Sequence, residues 1–168
     1  GGFSNSAKII PRTASLCWQK GEIGNCQPAV SEGRFLLLLL TRFNFQLMQT
    51  EFLSLFQHYL NQLKAEIEAY HPSDESLWLV PPGISNSAGN LCCHLVGNLN
   101  HFIGQTLGNT GYVRNRPLEF SARNVPKAEL KKNIEDTSAM LETVLPQVNL
   151  EATFPQDTFG ERTVHYVL

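Results

Sequence analysis

From Met48 onward, apolar side chains recur at three- and four-residue steps, the period of a helix with one buried stripe. The first such stretch covers about residues 48–70. Phe52, Phe56, Tyr59, Leu60, Leu63 and Ile67 share a face, and Lys64, Glu66 and Glu68 lie off it. His71-Pro72 ends it, because the residue before a proline disfavours the helical region. A second helix is predicted over about 87–107, with Ser85, Asn86 and Ser87 offering N-cap oxygens. Its stripe is Leu91, His94, Leu95, Asn98 and Phe102, and Gly108-Asn109 and Gly111 terminate it. Pro126 and Glu129 open a third helix whose apolar face is Leu130, Ile134, Leu141, Val144 and Leu145, and Pro146 marks its end. Thr163 to Leu168 reads as the opening of a fourth helix that the chain does not finish. No stretch alternates as a strand would. Three amphipathic helices cannot close a core here without a fourth, so the expected fold is all-α, a four-helix bundle with its fourth helix incomplete.

Residues 1–47 carry no sustained period. They hold five basic and two acidic side chains, a net of +3, whereas residues 48–168 have a net of −5. The expected organisation is an irregular extension over 1–47, with Met48 as the natural start, followed by a helical domain over 48–168. At 168 residues and 42% hydrophobic, the chain suits one domain with a sizeable core and is too apolar for a disordered one. The overall charge of −2 gives no basic face for a nucleic acid. The longest apolar run, Phe35 to Leu40, falls short of the roughly 20 residues of a membrane span. Cys17, Cys26, Cys92 and Cys93 form no C-x-x-C pair and no regular framework. Reduced, buried thiols in a cytoplasmic protein are expected.

Candidate chemistry lies on the second helix. His94, Asn98 and His101 are spaced i, i+4, i+7 and share a face. His94, between Leu91 and Leu95, reads either as a core histidine satisfied by one hydrogen bond or as a metal ligand inside a bundle. His58 lies beside the first stripe and His71 in the loop after it, neither at ligand spacing from another histidine.

The stretch Ser85-Asn86-Ser87-Ala88-Gly89-Asn90-Leu91-Cys92-Cys93-His94-Leu95-Val96-Gly97-Asn98-Leu99 resembles the second helix of the DinB/YfiT-like superfamily. Arg114-Asn115-Arg116-Pro117-Leu118-Glu119-Phe120 is similar to the arginine-rich segment that links helices two and three in one branch of it. Pro126-Lys127-Ala128-Glu129-Leu130 fits the opening of its third helix. Phe154-Pro155, Phe159-Gly160 and Thr163 to Leu168 fit the approach to its fourth. The resemblance runs from about Met48 to Leu168.

That resemblance implies a bundle holding a divalent metal, zinc or nickel, on three histidines: one from the second helix and two from an H-x-x-x-H pair on the fourth. His94 carries over as the first ligand. The pair is expected a few residues beyond Leu168. His165 lies one or two turns early for it and otherwise reads as a polar residue of the first turn. The chain as it stands is therefore expected to be inactive. Asn98 is a candidate to orient a ligand or bind substrate. Arg114 and Arg116, with Glu119, read either as a grip on an anionic group or as an ion-pair network pinning the connection. The implied activity is a metal-dependent S-transferase using a low-molecular-weight thiol on a small-molecule substrate, with a hydrolase as the lesser form, in a homodimer that binds neither nucleic acid nor membrane. The alternative is a non-enzymatic dimeric stress-response bundle in which His94 is structural. No general base is identified.

Overall fold

The computed structural model describes residues 32–71, 75–156 and 159–168. Cys17, Cys26, Pro72 and the first 31 residues of the expected extension lie outside the described residues. The chain divides into two units, Gly1–Leu36 and Leu37–Leu168, and the second holds the hydrophobic core. That second unit is mostly helical: α1 (Glu32–Ala69, of which the first residues belong to the other unit), α2 (Ala88–Leu99), α3 (Arg116–Ser121), α4 (Lys127–Val144) and α5 (Val164–Val167). Among the described residues the only β pairing is a single bridge, Thr153 to Thr163.

The long helix begins at Glu32, well before the expected start near residue 48, so the 32–47 part of the extension is helical rather than irregular. The stretch after Gly33 holds neither glycine nor proline and is rich in leucine, a strong helix former. It is apolar all round, so hydrophobic periodicity does not reveal it. Leu37, Leu38, Leu39, Leu40, Phe43 and Leu47 are all exposed.

Helices α1 and α4 run antiparallel. Positions on one rise as their partners on the other fall: Gln49 Nε2 donates to the Val148 carbonyl at 2.7 Å and Gln57 Nε2 to Glu142 Oε1 at 2.6 Å, and Lys64 pairs with Glu135 and Lys131 with Glu68. Between them Leu60 and Ile67 of α1 meet Leu130, Ile134, Leu141 and Val144 of α4 in the core, joined by Leu77, Trp78, Cys92, Ile103 and Leu145. The predicted face of the third helix is the buried one. On α1, Tyr59 departs from the expected stripe and is 59% exposed.

Helix α2 is capped as its sequence announces, with Ser87 Oγ accepting from the Asn90 amide at 3.2 Å. Its inward face is not the predicted one. Leu91 and Leu95 are exposed, at 43% and 46%, while Gly89, Asn90, Cys92 and Gly97 are buried. The reason is steric. A Cβ on Gly89 would lie 2.8 Å from the Trp78 ring, and one on Gly97 would lie 2.3 Å from Glu119 Oε1. Small residues let α2 approach its neighbours more closely than leucines would. Beyond Leu99 the helix widens into π geometry over Asn100–Gln105, with i→i+5 bonds from the Thr106 amide to the His101 carbonyl and from Gly108 to Ile103. Asn109 at φ +49° and Gly111 at φ +79° then turn the chain away.

The connection to α4 contains α3, which the hydrophobic pattern does not announce. Asn115 caps it, its side chain accepting from the Leu118 amide, and Pro117 occupies its first turn. Asn90, 1% exposed, anchors it from α2. Its Nδ2 donates to the carbonyls of Glu119 and Ala122 at 3.1 and 3.0 Å, and its Oδ1 accepts from Ser87 Oγ and Arg123 Nη1 at 2.7 and 2.8 Å. All the polar valences of this amide are used. Asn90→Ala is expected to cost about 1–3 kcal/mol, because the Glu119 carbonyl loses its buried donor while that of Ala122 keeps only Arg123 Nη1. Urea unfolding checks this, and a midpoint equal to the wild type's would contradict the role given to Asn90.

Candidate functional site

The polar residues of the α3 segment converge on one side chain of α2. Arg114 reaches back to Glu119 in a two-pronged pair, Nε to Oε1 at 2.6 Å and Nη2 to Oε2 at 2.9 Å. Glu119 Oε2 also lies 2.8 Å from His94 Nδ1, and Arg114 Nη2 lies 3.3 Å from that same nitrogen. The glutamate is 6% exposed. A six-residue helix capped by Asn115 and anchored by Asn90 carries the carboxylate to the place where a residue 97 side chain would stand, and the glycine there makes room.

Burial is the largest influence on Glu119 and pushes its carboxyl up, but the hydrogen bonds and charges of Arg114 and His94 together outweigh it and hold the group below the usual carboxylate range. The Glu119 hydrogen bond raises Arg114, against the opposing effect of burial. Both partners stay charged at neutral pH. Aromatic rings flank them: Phe120 lies 4.8 Å from the His94 ring, Arg116 stands 5.6 Å over Phe120, and Arg114 stands 5.8 Å over Phe102.

A cavity of about 340 Å³ adjoins Glu119, lined by Cys93, Val96, Gly97, Tyr112, Leu118 and Leu130 among others. Its thiols and its phenol are held protonated. Burial first, and the charges of Glu119 and Glu129 after it, push the Cys93 thiol up. Burial and Glu119 do the same to the Tyr112 phenol, with Arg114 opposing. Cys92, buried, is pushed up to about 12. Both cysteines are free, and neither environment makes a thiolate nucleophile. Glu119 is already held by Arg114 and faced by His94, and has no capacity as a base without breaking its pair. One reactive position is left in the cluster: His94 Nε2 has no hydrogen-bond partner among the described residues.

The other sequence candidates are dispersed. Asn98 lines a different cavity, of about 270 Å³, walled by Phe56, Phe102, Phe154 and Phe159. His165 is exposed at the start of α5, where its Nδ1 lies 3.1 Å from Thr163 Oγ1 and 3.2 Å from the Leu150 carbonyl. His101 Nε2 faces Gln156 Nε2 at 3.4 Å. Arg114 and Glu119 form the ion-pair network that pins the connection, and Arg116 takes part only through Phe120. Gly97, Asn90 and Tyr112 belong to the site although the sequence pattern does not single them out. For Gly97 a signal existed: a glycine inside a helical run, three residues after a candidate ligand.

The metal that the resemblance implies can be tested against these side chains. Among the described residues, no group of three or more His, Cys, Asp or Glu side chains gathers to hold a metal ion. His94 and its glutamate make one anchored ligand, not a set, and His165 is not brought to it. No protein-family model, curated protein or solved structure matches this chain.

The position of Glu119 has a consequence in acid. A carboxyl held below its ordinary value near 4.5 in the folded state contributes stability that is complete above that value. The contribution is lost as the pH falls through the folded value. Glu119→Gln removes it at neutral pH, costing about 1–3 kcal/mol. The variant's unfolding midpoint is expected to fall less than the wild type's between about pH 5 and pH 3. Parallel acid profiles would show that the carboxylate is not held down.

Proposed function

We propose that this chain belongs to a divalent-metal-dependent enzyme of the DinB type, a thiol-dependent S-transferase acting on a small molecule in the cytoplasm, with His94 as its first metal ligand. The observation that carries the reading is the state of His94: one ring nitrogen is held by a buried, ion-paired glutamate and the other has no partner among the described residues. Metal-binding histidines are commonly held by a carboxylate in this way. A bound zinc or nickel ion would supply acidity, making a coordinated thiol a thiolate at neutral pH. The chain's own contribution is to position His94, to keep it beside the Phe120 ring, and to offer two cavities lined in part by α2. With one ligand among the described residues, a metal would bind only weakly here. The reading therefore needs two further histidine ligands, which the resemblance assigns to an H-x-x-x-H pair.

A homodimer is part of the same proposal. Leu37, Leu40, Phe43, Leu47, Leu55 and Tyr59 expose a large apolar surface along α1 that suits a second copy. No helix among the described residues is long and apolar enough to cross a membrane, so a bilayer-spanning use of that surface is not proposed. Metal analysis of the natural protein tests the function. About one zinc or nickel ion per chain is expected, and His94→Ala is expected to lose it. A natural protein that holds no divalent metal overturns the reading.

A further inference from the structure

The cluster around Glu119 puts a proton on His94 Nδ1. Arg114 has only donors, and it uses two of them on the carboxylate, Nε on Oε1 and Nη2 on Oε2. A carboxylate accepting a two-pronged guanidinium is ionised and has no hydrogen to give. Its Oε2 nevertheless lies 2.8 Å from His94 Nδ1. Two lone pairs cannot face each other at that distance in a buried site, so a proton lies between them, and the imidazole is its donor. The competing assignment leaves Nδ1 bare to accept from Arg114 Nη2. That contact is 3.3 Å long and would set Nδ1 against the carboxylate.

We propose that Glu119, Arg114 and Gly97 are positioning residues that, in the neutral ring of His94, fix the proton on Nδ1 and so leave the lone pair on Nε2. Glu119 accepts the proton's hydrogen bond. Arg114 holds the carboxylate charged and in plane. Gly97 supplies the depth, since a Cβ there would meet Glu119 Oε1 at 2.3 Å and Cδ at 2.8 Å. The Phe120 ring, 4.8 Å from the imidazole and itself covered by Arg116, limits rotation of the histidine about its own axis. The use of Nε2 as a metal ligand rests on the function proposed above, but the assignment of the proton does not. An unfixed histidine would divide its proton between both nitrogens and present a bare Nε2 only part of the time.

Nitrogen NMR of ¹⁵N-histidine-labelled protein, freed of metal by a chelator and held in mildly alkaline buffer, reads the assignment directly. The wild type is expected to show a protonated Nδ1 and an unprotonated Nε2 at His94. Glu119→Gln is expected to exchange them. Arg114 can only donate and claims the amide oxygen, which turns the amide NH₂ toward Nδ1 and moves the ring proton to Nε2. Gly97→Ala, which pushes the carboxylate off its seat, is expected to give a mixture of the two forms. A wild-type His94 protonated on Nε2 overturns the proposal, and that measurement needs no variant to fold. So does a folded Glu119→Gln variant, judged by its helical circular dichroism, whose His94 keeps the wild-type pattern. A wild type with the expected pattern in a natural protein that holds no metal supports the clamp and refutes the metal function alone.

Discussion

A carboxylate buried to the depth of Glu119 stays ionised only if donors replace the water it has lost, and this requirement organises the α2–α3 side of the molecule. Two donors come from Arg114 and a third faces it from His94. To bring them together, the segment between α2 and α4 must fold back on α2, and a short capped helix makes the turn. The end of that helix presents carbonyls that need donors, and the Asn90 amide reaches two of them, with Arg123 sharing the second. The glutamate then needs space against α2, which Gly97 leaves. Remove any one of these and the others lose their purpose: the charge its partners, the helix its anchor, or the glycine its reason for being inside a helix.

The same constraint sets the rotation of α2. A helix chooses its inward face by the total free energy of packing, not by the size of its apolar side chains alone. Turning Leu91 and Leu95 inward would bury two large side chains, for roughly 1.5–3 kcal/mol each. It would also carry Gly97 and Asn90 away from α3, closing the space that holds the Glu119 carboxylate, parting it from His94 and taking the Asn90 donor from the Glu119 carbonyl. In the fold the leucines stay at the surface and the small residues face α3. His94 sits at the border of the two faces, close enough to Glu119 to be held and open enough, with about a quarter of its side chain exposed, to reach a further group.

That competition explains what could be read in the sequence. The face of α4 was legible because Leu130, Ile134, Leu141 and Val144 bury simply by being apolar at helical spacing, and hydrophobic transfer is the only term at stake. Helix α2 starts where its serine cap places it for a similar reason, since the cap is a contact local in sequence. The rotation of α2 was not legible. It depends on Glu119, twenty-two residues beyond Gly97, and no periodicity within α2 carries that information. The helical run before Met48 was hidden because it has propensity without a stripe. The pairing of Arg114 with Glu119 was one of two readings open from composition, and only the fold decides between an ion pair and a grip on a ligand.

The clamp also separates two roles that a histidine in a helix can combine. A core histidine satisfied by one hydrogen bond would be complete once Nδ1 found any neutral acceptor, such as a backbone carbonyl. The fold instead provides a charged acceptor, buries it, balances it with an arginine and leaves a glycine beneath it. Such an assembly stabilises the protein little more than well-packed apolar side chains of the same volume would, because desolvation cancels most of the attraction. Its distinctive product is orientation: a charge-assisted bond, about twice as strong as a neutral one, tolerates less rotation of the ring. A site whose outcome is direction rather than stability fits a histidine that has to present one nitrogen to something else. For that reason the unpartnered Nε2, more than any of the bonds already made, is the feature of this cluster that bears on function.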